Sequence, residues 1–292
     1  MLILEWIILT LVSAFFFSLH DIFRKKLLKI EHSLELLSVT FLTIFIIQLF
    51  LLPIINLSVD PLNLFLIIIR SISTAFALLF ITKSLKHMEI SSVAPISNLT
   101  PLFLVFISFI IGFETISYLQ LLGIFLIILG SYFLQIHSHY LNPIKHLNLL
   151  KDKYIVYAIL SAFLLAISAI ISKFVLQTIE VMTYLFYSYL FMTIFFITTT
   201  FIIYDGIKDI KLGYSQGSFY VVLIALLFFF TEWSYFLAMA IPTALVSLII
   251  PLKRVSTLFS VFLGGSLFKD HYILHKTLSS LVILFGVFLI VL

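Results

Sequence analysis

IIPLKRVSTLFSVFLGG, residues 249 to 265, places two adjacent cations in the middle of a hydrophobic run otherwise long enough to cross a bilayer. At the centre of a spanning helix Lys253 and Arg254 would each cost about 2.5–3.5 kcal/mol, so the pair must face a wet cavity or an anionic partner. Pro251, just before them, takes away the helical donor to the Ser247 carbonyl and opens the backbone at the same depth. A kink beside two charges reads as a binding site.

The composition around this stretch agrees with a membrane setting. The chain has 292 residues, of which 63% are hydrophobic, 10% charged and 33 are Phe, which excludes an ordinary soluble domain and disorder alike. It reads as an all-α polytopic membrane protein whose first partner is the lipid bilayer. The absence of Cys removes disulfides, thiolate metal sites and thiol catalysis. The net charge of +4 does not indicate nucleic acid, because the cations fall in short loops and not on one basic face. The segment from Leu2 to Phe23 opens with Glu5 and runs straight into RKK, without a basic leader or a small-residue cleavage site, so it is expected to be a retained helix.

Ten runs reach the length of about 20 apolar residues that a spanning helix needs: 3–23, 36–56, 62–81, 91–111, 117–136, 154–173, 181–203, 217–237, 243–263 and 274–292. The loops are short, so neighbouring helices are antiparallel. The polar stretch QIHSHYLNPIKHLNLLKDK divides the chain nearly in half, and the halves resemble each other. Ser13/Ser161, Ala14/Ala162, Phe15/Phe163, Ile22/Ile170, Lys25/Lys173 and Leu28/Leu176 match at one offset. Phe80/Phe236, Ser91/Ser247, Pro95/Pro251, Leu102/Leu258, Phe106/Phe262 and Gly130/Gly286 match at another, with Glu114 opposite Asp270. The expected organisation is a first repeat over 1–136, a connecting loop over 137–153 and a second repeat over 154–292, each repeat with five helices. An odd number of helices makes the two repeats inverted in the membrane, the architecture of alternating-access transporters.

Charge placement gives an orientation. Arg24, Lys25, Lys26 and Lys29, then Lys83 and Lys86, then Lys145, Lys151 and Lys153, then Lys208 and Lys211, and finally Lys269 and Lys276 all fall in alternate loops. Those loops are expected in the cytoplasm, which puts both termini outside it, with the cell membrane as the setting.

Lys253 and Arg254 suit anion recognition, since a guanidinium can hold two oxygens of a phosphate or carboxylate while an ammonium adds a point charge. The alternatives are an internal ion pair with Glu232, or stems that snorkel to an interface. Lys173, at the end of the sixth helix, is either a third anion ligand or a plain interfacial lysine. Arg70 in IIIRSIS and Glu232 in FFTEWSY are ionisable groups inside spans, candidates for substrate contact, for a mutual bridge or, at Glu232, for proton uptake. Pro95 and Pro101 break the fourth helix as Pro251 breaks the ninth, which points to a midplane site with Asn98, opposite Arg254 in the repeat, as a polar wall. Gly123, Gly130, Ser279 and Gly286 suit close helix packing. His137, His139 and His146 lie in a loop without acidic ligands, and Asp205 with Asp209 lacks a second acidic motif, so no metal or cofactor is expected.

PISNLTPLFLVFISFIIGFETISYLQLLGIFLIILG, from Pro95 to Gly130, and the second copy keeping Pro251, Asp270 and Gly286, are similar to the proline, acid and glycine spacing of the drug/metabolite transporter superfamily in its ten-helix form with two EamA-type repeats. LKRVSTLF and SKF are also similar to the basic positions of triose-phosphate and nucleotide-sugar translocators. That resemblance implies phosphate contact by Lys253 and Arg254, with Lys173 as the further basic residue. It also implies cytoplasmic termini, against the charge bias. The expected function is secondary transport or exchange of a small anionic metabolite, phosphorylated or carboxylated, by a monomer or homodimer. The alternatives are export of amino acids or lipophilic drugs on the same fold, a membrane-embedded transferase, and a non-transporting scaffold.

Overall fold

The computed structural model describes residues 2–28, 33–88, 96–97, 99–112, 116–136, 153–203, 205–256, 259 and 273–291. Ten α-helices run through them: α1 (Leu2–Leu27), α2 (Ser33–Leu51), α3 (Pro61–His87), α4 (Leu99–Ile111), α5 (Tyr118–Ile136), α6 (Lys153–Val175), α7 (Val181–Ile203), α8 (Ile207–Ala240), α9 (Val246–Lys253) and α10 (Ile273–Val291). A helix satisfies its own backbone polar groups, which a lipid-facing apolar segment requires. Six helices are long and apolar enough to cross a bilayer, and Leu99–Ile111, Tyr118–Gly130 and Leu281–Ile290 form shorter apolar stretches. Large apolar side chains point outward, with Phe50 82%, Phe109 81% and Ile202 78% exposed, as a lipid-facing surface demands. The protein is an integral membrane protein.

Local signals set several helix ends. Asp60 caps α3 by accepting from the Asn63 N–H at 3.1 Å, and Pro61 follows at the first helical position, where a missing donor costs nothing. That N–H holds the Asp60 carboxyl below the usual carboxylate range, burial working the other way, so the cap is present at neutral pH and is lost as pH falls through the lowered value. Pro242 follows the end of α8. The stretch from Ile207 to Gly217 departs from expectation. Read as loop, it is helical, because Ile210 and Tyr214 pack against a small apolar cluster formed by Leu27, Leu36, Val39, Val221 and Ile224. The Tyr214 hydroxyl also hydrogen-bonds Thr43 at 2.7 Å.

The helix neighbours reveal the repeat. α1 packs on α8 as α6 packs on α3; α2 packs on α8 as α7 on α3; α4 packs on α6 as α9 on α1. The remaining large contacts, α5 with α10 and α2 with α7, map onto themselves. Exchanging the halves therefore leaves the packing scheme unchanged, as a two-fold relation between two five-helix repeats requires. Side chains follow the same rule: Ser13 of α1 donates to the Thr231 carbonyl of α8 at 2.8 Å, and its repeat mate Ser161 of α6 donates to the Ala77 carbonyl of α3 at 2.8 Å. Small residues along α6, including Ala158, Ala162 and Ala166, let it approach α3, where Thr74 and Ser168 meet at 2.6 Å.

Two ends can be distinguished. The end of α3 meets the start of α6, where His87 stacks on Tyr154 at 4.3 Å, and Lys26 at the end of α1 donates to the Tyr220 hydroxyl of α8 at 2.9 Å. Arg24, Lys26, Lys83, Lys86, Lys153, Lys208 and Lys211 thus gather at one end of the bundle. Lys173 lies at the other, where Asn63 of α3 also reaches Thr178 at 2.9 Å.

α5 and α10 cross backbone to backbone. A Cβ on Gly123 would stand 2.7 Å from the Gly286 carbonyl oxygen, and one on Gly286 would stand 2.7 Å from the Gly123 oxygen. Because the obstacle is main chain, no rotamer relieves it. Gly123→Ala should therefore lower stability by about 1–3 kcal/mol, read as a lower unfolding temperature of the purified protein in detergent, and Gly286→Ala should do the same.

Candidate functional site

Glu232 of α8 is the hub. Its Oε1 accepts from Lys253 Nζ at 3.1 Å, and its Oε2 faces Arg70 Nη2 at 3.8 Å. The side chains of Arg70, Glu232 and Lys253 are only 6%, 14% and 16% exposed, so little water screens them. α3 of the first repeat supplies Arg70, and the second repeat supplies the other two. Removing one partner from such a set leaves a buried charge uncompensated, and this drives the three together.

Aromatic faces hold the two cations. The Arg70 guanidinium sits 5.0 Å from the Phe236 ring centre and 5.4 Å from that of Tyr184, and its Nη1 approaches the Met192 sulfur at 3.8 Å. Lys253 Nζ lies 4.0 Å above Tyr235 and 5.3 Å from Phe17. Ring quadrupoles attract cations most where water is excluded. Tyr184 is itself fixed by a 2.6 Å hydrogen bond with Ser172 of α6.

Arg254 turns to the other repeat and donates from Nη2 to the Ser97 carbonyl at 2.7 Å. That same carbonyl accepts from Thr100 Oγ1 at 2.9 Å. Past Pro251, which cannot donate, the backbone tightens: the Arg254 and Val255 N–H groups bond three residues back, to Pro251 and Leu252. The helix break thus aims two successive side chains at different targets, Lys253 at Glu232 and Arg254 at Ser97. Pro101 has no N–H for the carbonyl four residues back, that of Ser97, whose own backbone is helical, and this is the carbonyl that Arg254 and Thr100 occupy. Pro95, Asn98, Glu114, Asp270 and the three loop histidines lie outside the described residues.

Lys173 occupies a different place. Its ammonium donates to the Met239 carbonyl at 2.8 Å and the Ile241 carbonyl at 2.7 Å, at the C-terminal end of α8, where a cation meets the negative end of the helix dipole. Asp205 pairs with Lys208 at 3.8 Å on an exposed surface.

A second ionic group was not singled out in the sequence. Arg24, counted there among the loop cations, bonds Asp21 at 3.0 Å with its side chain only 14% exposed. His20 lies beside Asp21 at 3.4 Å and is buried, stacked on Phe17 and tilted against Phe228. The signal is present in LHDIFRKK, where a histidine, an acid and an arginine lie within about one helical turn.

A cavity of about 20 Å³ is lined by His20, Arg24, Leu36, Leu37, Thr40, Phe41, Leu78, Ile224 and Phe228, and one of about 10 Å³ by residues that include Arg70, Tyr189, Phe228 and Glu232. Each has room for about one water molecule. Among the described residues the cations therefore meet internal partners.

Two inverted five-helix repeats with ionised groups gathered where they meet define a membrane transporter of small molecules. The chain belongs to the EamA-like transporter family, whose sequence profile matches residues 4–136 and 152–292. It is also similar to a solved crystal structure described only as that of a protein, with a TM-score of 0.70 and 14% sequence identity, covering 97% of this chain and 95% of the other; this likeness concerns the fold. No curated protein sequence matches the chain.

The ion pair makes a quantitative prediction. In a double-mutant cycle of Glu232→Gln and Lys253→Met, scored by unfolding in detergent, each single variant should lose stability. The double variant should lose less than their sum, with a coupling of about 1–3 kcal/mol.

Proposed function

We propose that the protein is a secondary transporter or exchanger of a small anionic metabolite, phosphorylated or carboxylated, bound between the repeats by Lys253, Arg254 and Arg70. Each repeat, over 1–136 and 154–292 and joined by 137–153, acts as one arm of an alternating-access cycle. The observation that carries the reading is the gathering of positive charge where the repeats meet: Arg70 and Lys253 face Glu232, and Arg254 crosses to the Ser97 carbonyl. Glu232, paired with Lys253 and facing Arg70, holds the place that the substrate anion takes. On binding, the anion replaces Glu232 as partner of Lys253 and Arg70 by charge-assisted hydrogen bonds. Lys173 serves as a closing contact at the end opposite the basic loops, and the basic end faces the cytoplasm, with both termini outside it.

A second reading is supported by the completeness of the Lys253–Glu232 bridge and by the rings of Phe17, Tyr235, Tyr184 and Phe236 around the cations. Under it the charges are structural and the cargo is an amino acid or a lipophilic compound held by the aromatic side chains. Thermal stabilisation of the purified protein by a panel of sugar phosphates, nucleotides, organic acids and amino acids separates the two. Anions should raise the unfolding temperature of the wild type and have no effect on the Lys253→Gln/Arg254→Gln variant. Stabilisation by neutral or lipophilic compounds, unchanged in that variant, would establish the second reading.

The place-holding role of Glu232 has its own consequence. With the empty site compensated, the unloaded carrier can reorient, so net uptake accompanies exchange. In proteoliposomes Glu232→Gln should keep anion counterflow while net uptake falls at least about tenfold, since about 1.4 kcal/mol on the reorientation barrier suffices.

A further inference from the structure

The two small cavities share one wall. Phe228 of α8 lines both, with His20 and Arg24 on one side and Arg70 and Glu232 on the other, so a single ring separates the buried histidine from the central ion pairs. The His20 ring centre is 5.1 Å from that of Phe228. A histidine is the one side chain whose ordinary titration falls near neutral pH. This one is 3% exposed, sits 3.4 Å from a carboxylate, and has no hydrogen-bond partner of proper geometry on Nδ1.

Among the described residues the charges around it are Asp21 and Arg24 on α1, Glu232 of α8 within electrostatic reach of His20, and Lys253 of α9 with Arg254 beyond it, both within reach of Asp21. At the cavity α2 presents Leu36, Leu37, Thr40 and Phe41, and α3 presents Leu78. Among the described residues the cations Arg24, Arg70, Lys253 and Arg254 and the anions Asp21 and Glu232 surround the two cavities. An anion bound at the cluster adds negative charge within reach of His20 and so favours its protonated form.

We propose that His20, held by Asp21, is a proton-binding site coupled to anion binding at the Arg70–Glu232–Lys253–Arg254 cluster, so that the protein carries a proton together with its anion. The proposal rests on the anion reading above and names its coupling ion. The imidazole takes up one proton and releases it, and no other bond is made or broken. Linkage is reciprocal: the anion raises the proton affinity of His20 by the factor by which the proton raises anion affinity.

The test is binding to the purified full-length protein with sulfate and L-lactate, probes whose own charge is constant over the range used. Affinity should be about tenfold tighter near pH 5.5 than near pH 7.5 in the wild type. His20→Gln should bind with equal affinity at both. Equal wild-type affinities, or a pH difference that survives in His20→Gln, would overturn the proton site while leaving the anion reading intact. If His20→Gln does not fold, His20→Asn takes its place in the same comparison. Lys253→Gln/Arg254→Gln should lose probe binding at both pH values. Should neither probe bind the wild type, the anion reading fails, and the proton site is judged by the histidine NMR signal that disappears in His20→Gln. Titration of that signal between about pH 5 and 8 supports the site, and a signal constant over that range refutes it.

Discussion

An ionised group inside a bilayer must find its counter-charge within the protein, and Glu232 is where this molecule meets that requirement. One carboxylate lies between an ammonium at 3.1 Å and a guanidinium at 3.8 Å. Because Arg70 belongs to one repeat and Lys253 to the other, their electrostatics also tie the halves together. The rings of Tyr184, Phe236 and Tyr235 against the two cations exclude water and strengthen both attractions. These charged contacts add to an extensive apolar packing between the repeats, and the outer surface of the bundle has only lipid to satisfy.

The backbone is close to two-fold symmetric and the chemistry is not. Helix neighbours exchange cleanly between the repeats, and equivalent serines make equivalent bonds. The symmetric elements are the closely packed ones: the glycine crossing of α5 with α10 and the small-residue seam of α6 with α3 join the two repeats at short distance. The ionised residues break the symmetry. Arg254 reaches from the α9 side to the start of α4, so the two proline-containing regions are joined by a hydrogen bond to a main-chain carbonyl that helix irregularity leaves accessible.

With self-supplied counter-ions the interior leaves little room beside its charges. A cavity of about 10 Å³ beside Arg70 and Glu232 accommodates about one water. Phe228 stands between that cavity and the one at His20. On the opposite side Lys173 holds the end of α8 by two carbonyls.

Much of this was legible in the sequence. Apolar runs of about 20 residues have one stable form in lipid, the helix, so the all-helical class, the helix positions and the repeat could be read directly, and Gly123 with Gly286 announced a close crossing. The intramembrane charges Arg70, Glu232, Lys253 and Arg254 stood out for the same reason, their cost in hydrocarbon. Partner choice was not legible. Lys253 and Lys173 are both lysines near helix ends, yet one meets a carboxylate and the other two carbonyls, because that depends on which helix stands opposite. The helical character of 207–217 and the burial of His20, Asp21 and Arg24 were likewise decided by neighbours from α1 and α2, whose approach no local pattern records. The sequence by itself determined which segments enter the membrane and which residues cannot remain alone there. The tertiary structure decided who satisfies them, since a counter-charge acts over a few ångströms of space and is indifferent to separation along the chain.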